Sequence, residues 1–340
     1  MKSCVSFDDV LLVPRYSDIH SRKEISLSAE LSSHISLDLP IISSPMDTVT
    51  EYRMAASISE AGGMGIIHRY NSITDQAELI RKACENGATS VGAAIGVSGN
   101  YVERARVALS AGANVLCVDI AHGHHALMRN ALQVLRNTFG YDIHVMAGNV
   151  ATQEGYEALA NWGANSIRVG IGGGSICSTR IQTGHGMPTL QSIIECAQSE
   201  YAGDHPIIAD GGIKNAGDIV KALAAGADFV MLGSLLAGTP ESPGEIMYQS
   251  GSQCKVYRGM ASADAQINWR GHVSSTEGVT STIPLKGSVA DVLKELAVNV
   301  KSGLSYSGAF NISELHSVSR FVKQTTAGAA ESTTHIFQRN

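Results

Sequence analysis

None of the apolar runs in these 340 residues is long enough to cross a bilayer, which excludes a membrane-spanning helix. The opening Met1-Lys2-Ser3-Cys4-Val5-Ser6-Phe7-Asp8-Asp9 lacks the apolar centre of a secretory signal. Basic residues form no stripe and the formal net charge is -6, which argues against a nucleic-acid or membrane-surface partner. The six cysteines are scattered and hold no Cys-x-x-Cys pair, so neither a disulfide framework nor a zinc motif is present. No glycine-rich dinucleotide fingerprint follows an early strand, which weakens the case for a doubly wound open sheet. A reduced, soluble, cytoplasmic protein is the expectation these absences leave.

What is there is a large apolar reserve, 44% of residues, enough for an extensive core. The length allows one large α/β domain or two ordinary ones. Short β-branched runs alternate with helix-like stretches, and eight strands are expected at 39–43, 65–68, 90–95, 115–119, 144–147, 166–169, 206–209 and 229–232. Four of them follow a Gly-Ala pair (Gly87-Ala88, Gly112-Ala113, Gly163-Ala164, Gly226-Ala227), the glycine suiting a helix C-cap. Helices are expected at 102–110 and 219–225 among others, and one near 289–300 closes the array. Eight βα units predict an α/β fold, a (β/α)8 TIM barrel, in one domain.

In such a barrel the chemistry gathers beyond the strand C-termini. There the sequence places Ser44-Pro45-Met46-Asp47, Asp119, Gly148-Asn149, Asp210-Gly211-Gly212 and Gly233-Ser234. The glycines after strands seven and eight let backbone N–H groups approach a phosphate, although tight turns alone also use glycine. After strand six comes Gly170-Ile171-Gly172-Gly173-Gly174-Ser175-Ile176-Cys177-Ser178-Thr179-Arg180, whose glycines exclude regular structure. A thiol there is expected to be exposed and nucleophilic. Cys4, Cys84, Cys117, Cys196 and Cys254 are read as buried packing residues. The polar stretch 268–282 is expected to be a mobile lid, and 325–340 a disordered tail.

Several stretches together are identified as those of one family. They include Phe7-Asp8-Asp9-Val10-Leu11-Leu12, Met46-Asp47-Thr48-Val49, Gly62-Gly63-Met64-Gly65, Ala147-Gly148-Asn149-Val150, the Cys177 loop, Asp210-Gly211-Gly212-Ile213, Met231-Leu232-Gly233-Ser234 and Tyr257-Arg258-Gly259-Met260. The chain resembles the IMP dehydrogenase/GMP reductase family over nearly its whole length. The resemblance implies that Cys177 attacks carbon 2 of a purine nucleotide, with Thr179 and Glu277 managing protons. It also implies that Asp210 holds the ribose and that Ser175, Gly212, Gly233, Ser234 and Tyr257 contact the phosphate. Ser44, Met46, Gly259 and Met260 complete the substrate contacts. Asp119 and Asn149, with Arg180, fall on the cofactor side, and carbonyls of Gly172, Gly174 and Cys177 match those that bind a monovalent cation, usually potassium. A homotetramer is the family's expected assembly.

Within the family, the tandem CBS domain that should follow His68-Arg69 is missing, and the single barrel is expected to span 1–340 with a flap and substrate segment at 257–287. Dehydrogenases carry an Arg-Tyr pair in the flap that activates water. Between Met260 and Glu277 this chain has only Arg270 followed by Gly271, and no tyrosine. The expected activity is therefore reduction of GMP to IMP and ammonia with NADPH; the alternative is an IMP dehydrogenase using NAD. An FMN-dependent barrel oxidoreductase and a nucleotide-binding barrel without catalysis are the readings from other classes. His122, His124 and His125 form a poor zinc motif, His185 reads as structural, Arg270 as a flap surface charge or a cofactor-phosphate contact, and Asp8 and Asp9 as ordering the N-terminal segment.

Overall fold

In the computed structural model, which describes residues 3–249 and 251–332, eight parallel strands close into a barrel. They are β1 (Ile41–Ser43), β2 (Met64–Ile67), β3 (Val91–Ile95), β4 (Val115–Asp119), β5 (His144–Val150), β6 (Ser166–Val169), β7 (Ile207–Asp210) and β8 (Phe229–Leu232). Each strand pairs with its neighbours in chain order, and β8 pairs with β1 to complete the ring. All eight expected strands are present; β5 continues past Ala147 to Val150.

The strands are apolar on both faces because both are buried. Inward residues, among them Ile42, Met64, Ile66, Cys117, Met146, Ile208 and Phe229, form an interior cluster. An antiparallel hairpin, Ala29–Ser32 with Ile35–Leu37, adds Leu31, Ile35 and Leu37 to that cluster and closes the N-terminal end. Outward residues such as Ile41, Ile67, Val118 and Ile207 pack under the helices. Ser72, Thr152 and Asn215 each cap a helix by accepting a backbone N–H. The four Gly-Ala glycines have φ between 91° and 113°, the positive range their role requires.

Only a short loop joins β2 to the helix Ile73–Glu85, so the β2 exit stays within the barrel. Beyond β8 the chain forms a three-stranded antiparallel sheet, Met247–Gln249, Ser252–Arg258 and Thr280–Pro284, with the helix Ala263–Arg270 between the last two strands. The stretch expected as a lid starts in the last residues of that helix and ends in a strand whose Ser281 pairs with Tyr257, and residues 271–279 between them are loop. That strand is exposed at an edge, so its sequence shows no apolar alternation. The closing helix runs Val289–Ser307, longer than expected. Phe321–Lys323 pairs antiparallel with Val10–Leu12. Part of the expected disordered tail is instead a helix, Thr326–Glu331, capped by Thr325; residues 333–340 lie outside the described residues.

Candidate active site

A cavity of about 490 Å³ opens at the C-terminal end of the barrel. Every residue singled out from the sequence as a site residue lines it: Ser44, Met46, Asp119, Asn149, Gly172, Gly174, Ser175, Cys177, Thr179, Arg180, Asp210, Gly212, Gly233, Ser234, Tyr257, Gly259, Met260 and Glu277. How they engage one another refines the roles expected of them.

The Cys177 loop leaves β6 at Gly170, whose φ is 144° and where a Cβ would sit 2.0 Å from the Asp210 carbonyl oxygen. No side chain fits there, so the loop crosses directly over the end of β7. Cys177 is half-buried rather than exposed. The reason is that the loop is pinned by a second strand segment: Cys177 bridges Gly278, Ser178 N–H donates to the Glu277 carbonyl at 2.9 Å, and Val279 N–H donates to the Ile176 carbonyl at 3.0 Å. The same pinning brings Glu277 close to the Cys177 thiol. The Cys177 thiol donates to Thr179 Oγ1 at 3.2 Å, and that hydroxyl donates to Glu277 Oε2 at 2.9 Å. Thiol, hydroxyl and carboxylate thus form one path for a proton.

The remaining cysteines divide. Burial pushes the Cys117 thiol up to about 11 and the Cys196 thiol to about 12, which makes them inert. Cys254 is also buried, whereas Cys84 is half-buried and Cys4 is exposed, against the expectation that all five are packed away.

Asp210 ends β7. Its Oδ2 accepts from Asn149 Nδ2 at 2.8 Å and from Arg168 Nη2 at 2.9 Å. Asn149, expected on the cofactor side, is thus engaged with the carboxylate expected to hold the sugar, and its amide also donates to the Gly170 carbonyl. Arg180 differs too: its guanidinium donates to the Ile171 and Met187 carbonyls and braces its own loop.

At the opposite side, a Cβ on Gly233 would lie 3.0 Å from the Tyr257 hydroxyl, 3.4 Å from Met46 Sδ and 3.6 Å from Ser44 Oγ. These groups converge on the backbone of the β8 turn. Burial raises the Tyr257 phenol, outweighing a hydrogen bond with Ser175, so the hydroxyl stays protonated and can donate to an anion. The β1 loop is tied to the same region by Arg258, whose Nε donates to Asp47 Oδ2 at 3.1 Å, and by Asp47 N–H, which donates to Met260 Sδ at 3.4 Å.

Arg168 was not singled out from the sequence, yet it joins Asp119 to Asp210. The legible signal was an arginine inside an otherwise apolar barrel strand, a residue that needs counter-charges when buried. Burial would raise Asp119, but Arg168 and Arg69 outweigh it and hold the carboxyl below its ordinary value. Also missed was the seat of the flap helix: Trp269 stacks on Tyr70, centroids 5.4 Å apart, with the Arg104 guanidinium over the indole. Gln266 is buried and donates to the Ala261 and Ser275 carbonyls. Arg270 turns to His272, Gln266 and Ser274 within the flap.

Among the described residues no group of three or more His, Cys, Asp or Glu is placed to hold a metal ion. Burial, then His124, His125 and His185, lower His122 from its ordinary value. His185 bonds Thr183 locally, Asp8 pairs with Lys214, and Asp9 accepts from Ser6.

Comparison with known proteins bears on these readings. The family model described as IMP dehydrogenase / GMP reductase domain matches residues 4–335. Inosine-5'-monophosphate dehydrogenase of Nitrosopumilus maritimus is 34% identical, over 98% of this chain and 98% of its own length. That alignment runs over 473 positions, so the relative carries sequence without a counterpart in these 340 residues. GMP reductase of Leishmania major is 31% identical over 97% of this chain and 96% of its own, in an alignment of similar length. The crystal structure of a cysteine-to-alanine variant of GMP reductase from Trypanosoma brucei, in complex with guanosine 5'-monophosphate, superposes with a TM-score of 0.94 at 30% identity, covering 99% of this chain and 98% of that one. With its (β/α)8 barrel, its cysteine loop and a match over nearly its full length, the chain belongs to the IMP dehydrogenase/GMP reductase family of oxidoreductases.

Proposed function

We propose that the protein is a GMP reductase, converting GMP to IMP and ammonia with NADPH. The observation that carries this reading over dehydrogenation is the flap. Between Met260 and Glu277 it offers a single arginine and no tyrosine, and the Arg270 side chain is held by flap residues and does not line the cavity. An intermediate in this cavity has no flap arginine facing it to activate water. The GMP carried by the Trypanosoma brucei structure supports a purine nucleotide substrate here as well.

The residues perform the chemistry as follows. The Tyr257 hydroxyl, the Ser175 and Ser234 hydroxyls and the glycine turns hold the phosphate. Asp210 accepts from the ribose hydroxyls. Cys177 Sγ bonds to carbon 2 of the guanine, and its proton moves along Thr179 towards Glu277. The same pair returns protons to the exocyclic amine, which leaves as ammonia, so carbon 2 is left as a thioimidate on Cys177. NADPH, when bound on the Asp119 side, supplies the hydride that reduces carbon 2. The carbon–sulfur bond then breaks and IMP departs with the thiolate restored.

Asp119 ends β4 and lines the cavity, which supports putting the nicotinamide of the dinucleotide beside it. Gly172, Gly174 and Cys177 offer neutral carbonyl oxygens, a donor set that suits a monovalent cation such as potassium rather than a divalent one. In those positions they would hold the cation against the loop and stiffen it.

Sequence matches to dehydrogenases favour the second reading, IMP oxidation with NAD, so the deciding test is paired. Purified protein should consume NADPH and release ammonia when given GMP. NAD reduction with IMP and accumulation of XMP would overturn the proposal.

A further inference from the structure

Two carboxylates from non-adjacent strands, Asp119 on β4 and Asp210 on β7, share one buried cation. Arg168 of β6 is 6% exposed. Its Nη1 donates to Asp119 Oδ1 at 2.9 Å, and its Nη2 and Nε donate to Asp210 Oδ2 at 2.9 and 3.3 Å. Cys117 Sγ lies 3.4 Å from Nη1, and Arg69 donates to the other Asp119 oxygen at 3.4 Å. Every hydrogen bond Asp210 accepts through its side chain, including that from Asn149, falls on Oδ2, which leaves Oδ1 to receive a ligand hydroxyl.

We propose that Arg168 is a positioning residue that couples the two halves of the cavity, orienting Asp210 for the nucleotide's sugar and Asp119 for the dinucleotide with one rigid guanidinium. The inference rests on the nucleotide oxidoreductase reading above but not on the direction of the reaction. A planar fork bonded at both ends cannot turn towards one carboxylate without disturbing its bond to the other. Fixing Asp210 by a bound nucleotide therefore fixes Asp119 as well, and the ordering cost is met once for two ligands. Arg69, Tyr70 and Cys117 also face Asp119, yet none of them reaches Asp210 in a hydrogen bond, so Arg168 is the direct link between the two.

The test uses Cys177→Ala protein, which cannot form the adduct. Calorimetry would measure NADP⁺ or NAD⁺ binding with and without saturating IMP or GMP. Bound nucleotide is expected to tighten dinucleotide binding by about fivefold or more, and Arg168→Met should reduce that factor to about one. Arg168→Met should also move the acid limb of dinucleotide binding to higher pH, because Asp119 loses its main cation; a residue with a merely structural role would not shift it. Should that variant fail to fold, Arg168→Lys keeps the charge but loses the fork, since an ammonium cannot span both carboxylates as the planar guanidinium does. It too should bring the coupling factor down to about one. A coupling factor that stays unchanged in Arg168→Met or in Arg168→Lys overturns the proposal. If the parent binds neither IMP nor GMP, the functional reading fails instead.

Discussion

A thiol becomes a strong nucleophile only when its proton has somewhere to go, and at Cys177 that route is two hydrogen bonds long. The thiol donates to Thr179 and Thr179 donates to Glu277, whereas Cys117 and Cys196 have neither a carboxylate relay nor solvent and are held protonated by burial. Cys177→Ala is therefore expected to lower kcat by at least about 10⁴-fold while nucleotide affinity changes by less than about threefold, because only the covalent step uses sulfur. Steady-state kinetics beside calorimetric titration would check both halves; undiminished turnover would rule out the thioimidate. The sequence pointed to Cys177 through the glycines around it. It did not reveal Arg168 as a link, because its counter-charges lie 49 and 42 residues away in the chain.

At the scale of elements, the segment from Ser252 to Pro284 behaves as a hand laid over the barrel mouth. One strand carries Tyr257 to the β8 turn at Gly233, the next segment carries Glu277 to the cysteine loop, and the helix between them rests on Tyr70 through Trp269. Two lysines, Lys255 buried and Lys286 half-buried, hold the turn beneath it: Lys286 Nζ donates to the Ser234 and Leu235 carbonyls, and Lys255 Nζ donates to those of Thr239 and Ser242. An aromatic stack of this kind contributes about 0.5–1.5 kcal/mol beyond the area it buries. Trp269→Ala should thus let the helix Ala263–Arg270 open about 2- to 10-fold more often, seen as faster amide hydrogen exchange there, with the barrel strands unchanged. Exchange that stays the same would mean Gln266 alone seats the helix. The helix end and edge strand at the two ends of the polar run 268–282 were not legible because exposed elements lack the apolar periodicity from which buried ones are read, while 271–279 is loop as the composition suggested.

Over the whole molecule, stability depends on pH through a group far from the chemistry. His144 begins β5, is 5% exposed, and bonds Ser166 Oγ through Nε2 at 2.8 Å while its Nδ1 has no partner. Burial, helped by Arg136, depresses it from 6.5 to about 4. Between those values the unfolded chain binds a proton that the folded barrel refuses, so stability falls as pH drops through this window, by about 3 kcal/mol at its lower end. The thermal midpoint of the protein should decline from pH 6.5 to 4.5 more steeply than that of His144→Asn; parallel curves would show that His144 does not carry the effect.

The sequence by itself determined the barrel, because strand and helix patterns, caps and Gly-Ala turns are local signals set by neighbours a few residues apart. It also marked the cysteine loop and the glycine turns, whose backbone demands are local too. Only the tertiary structure decided how far Cys177 is buried, that Asn149 and Arg168 serve Asp210 together, and that Arg180 braces its own loop. The links to Asp210 depend on the lateral pairing of β4, β5, β6 and β7, which sets strand ends that are far apart in the chain side by side around one buried cation.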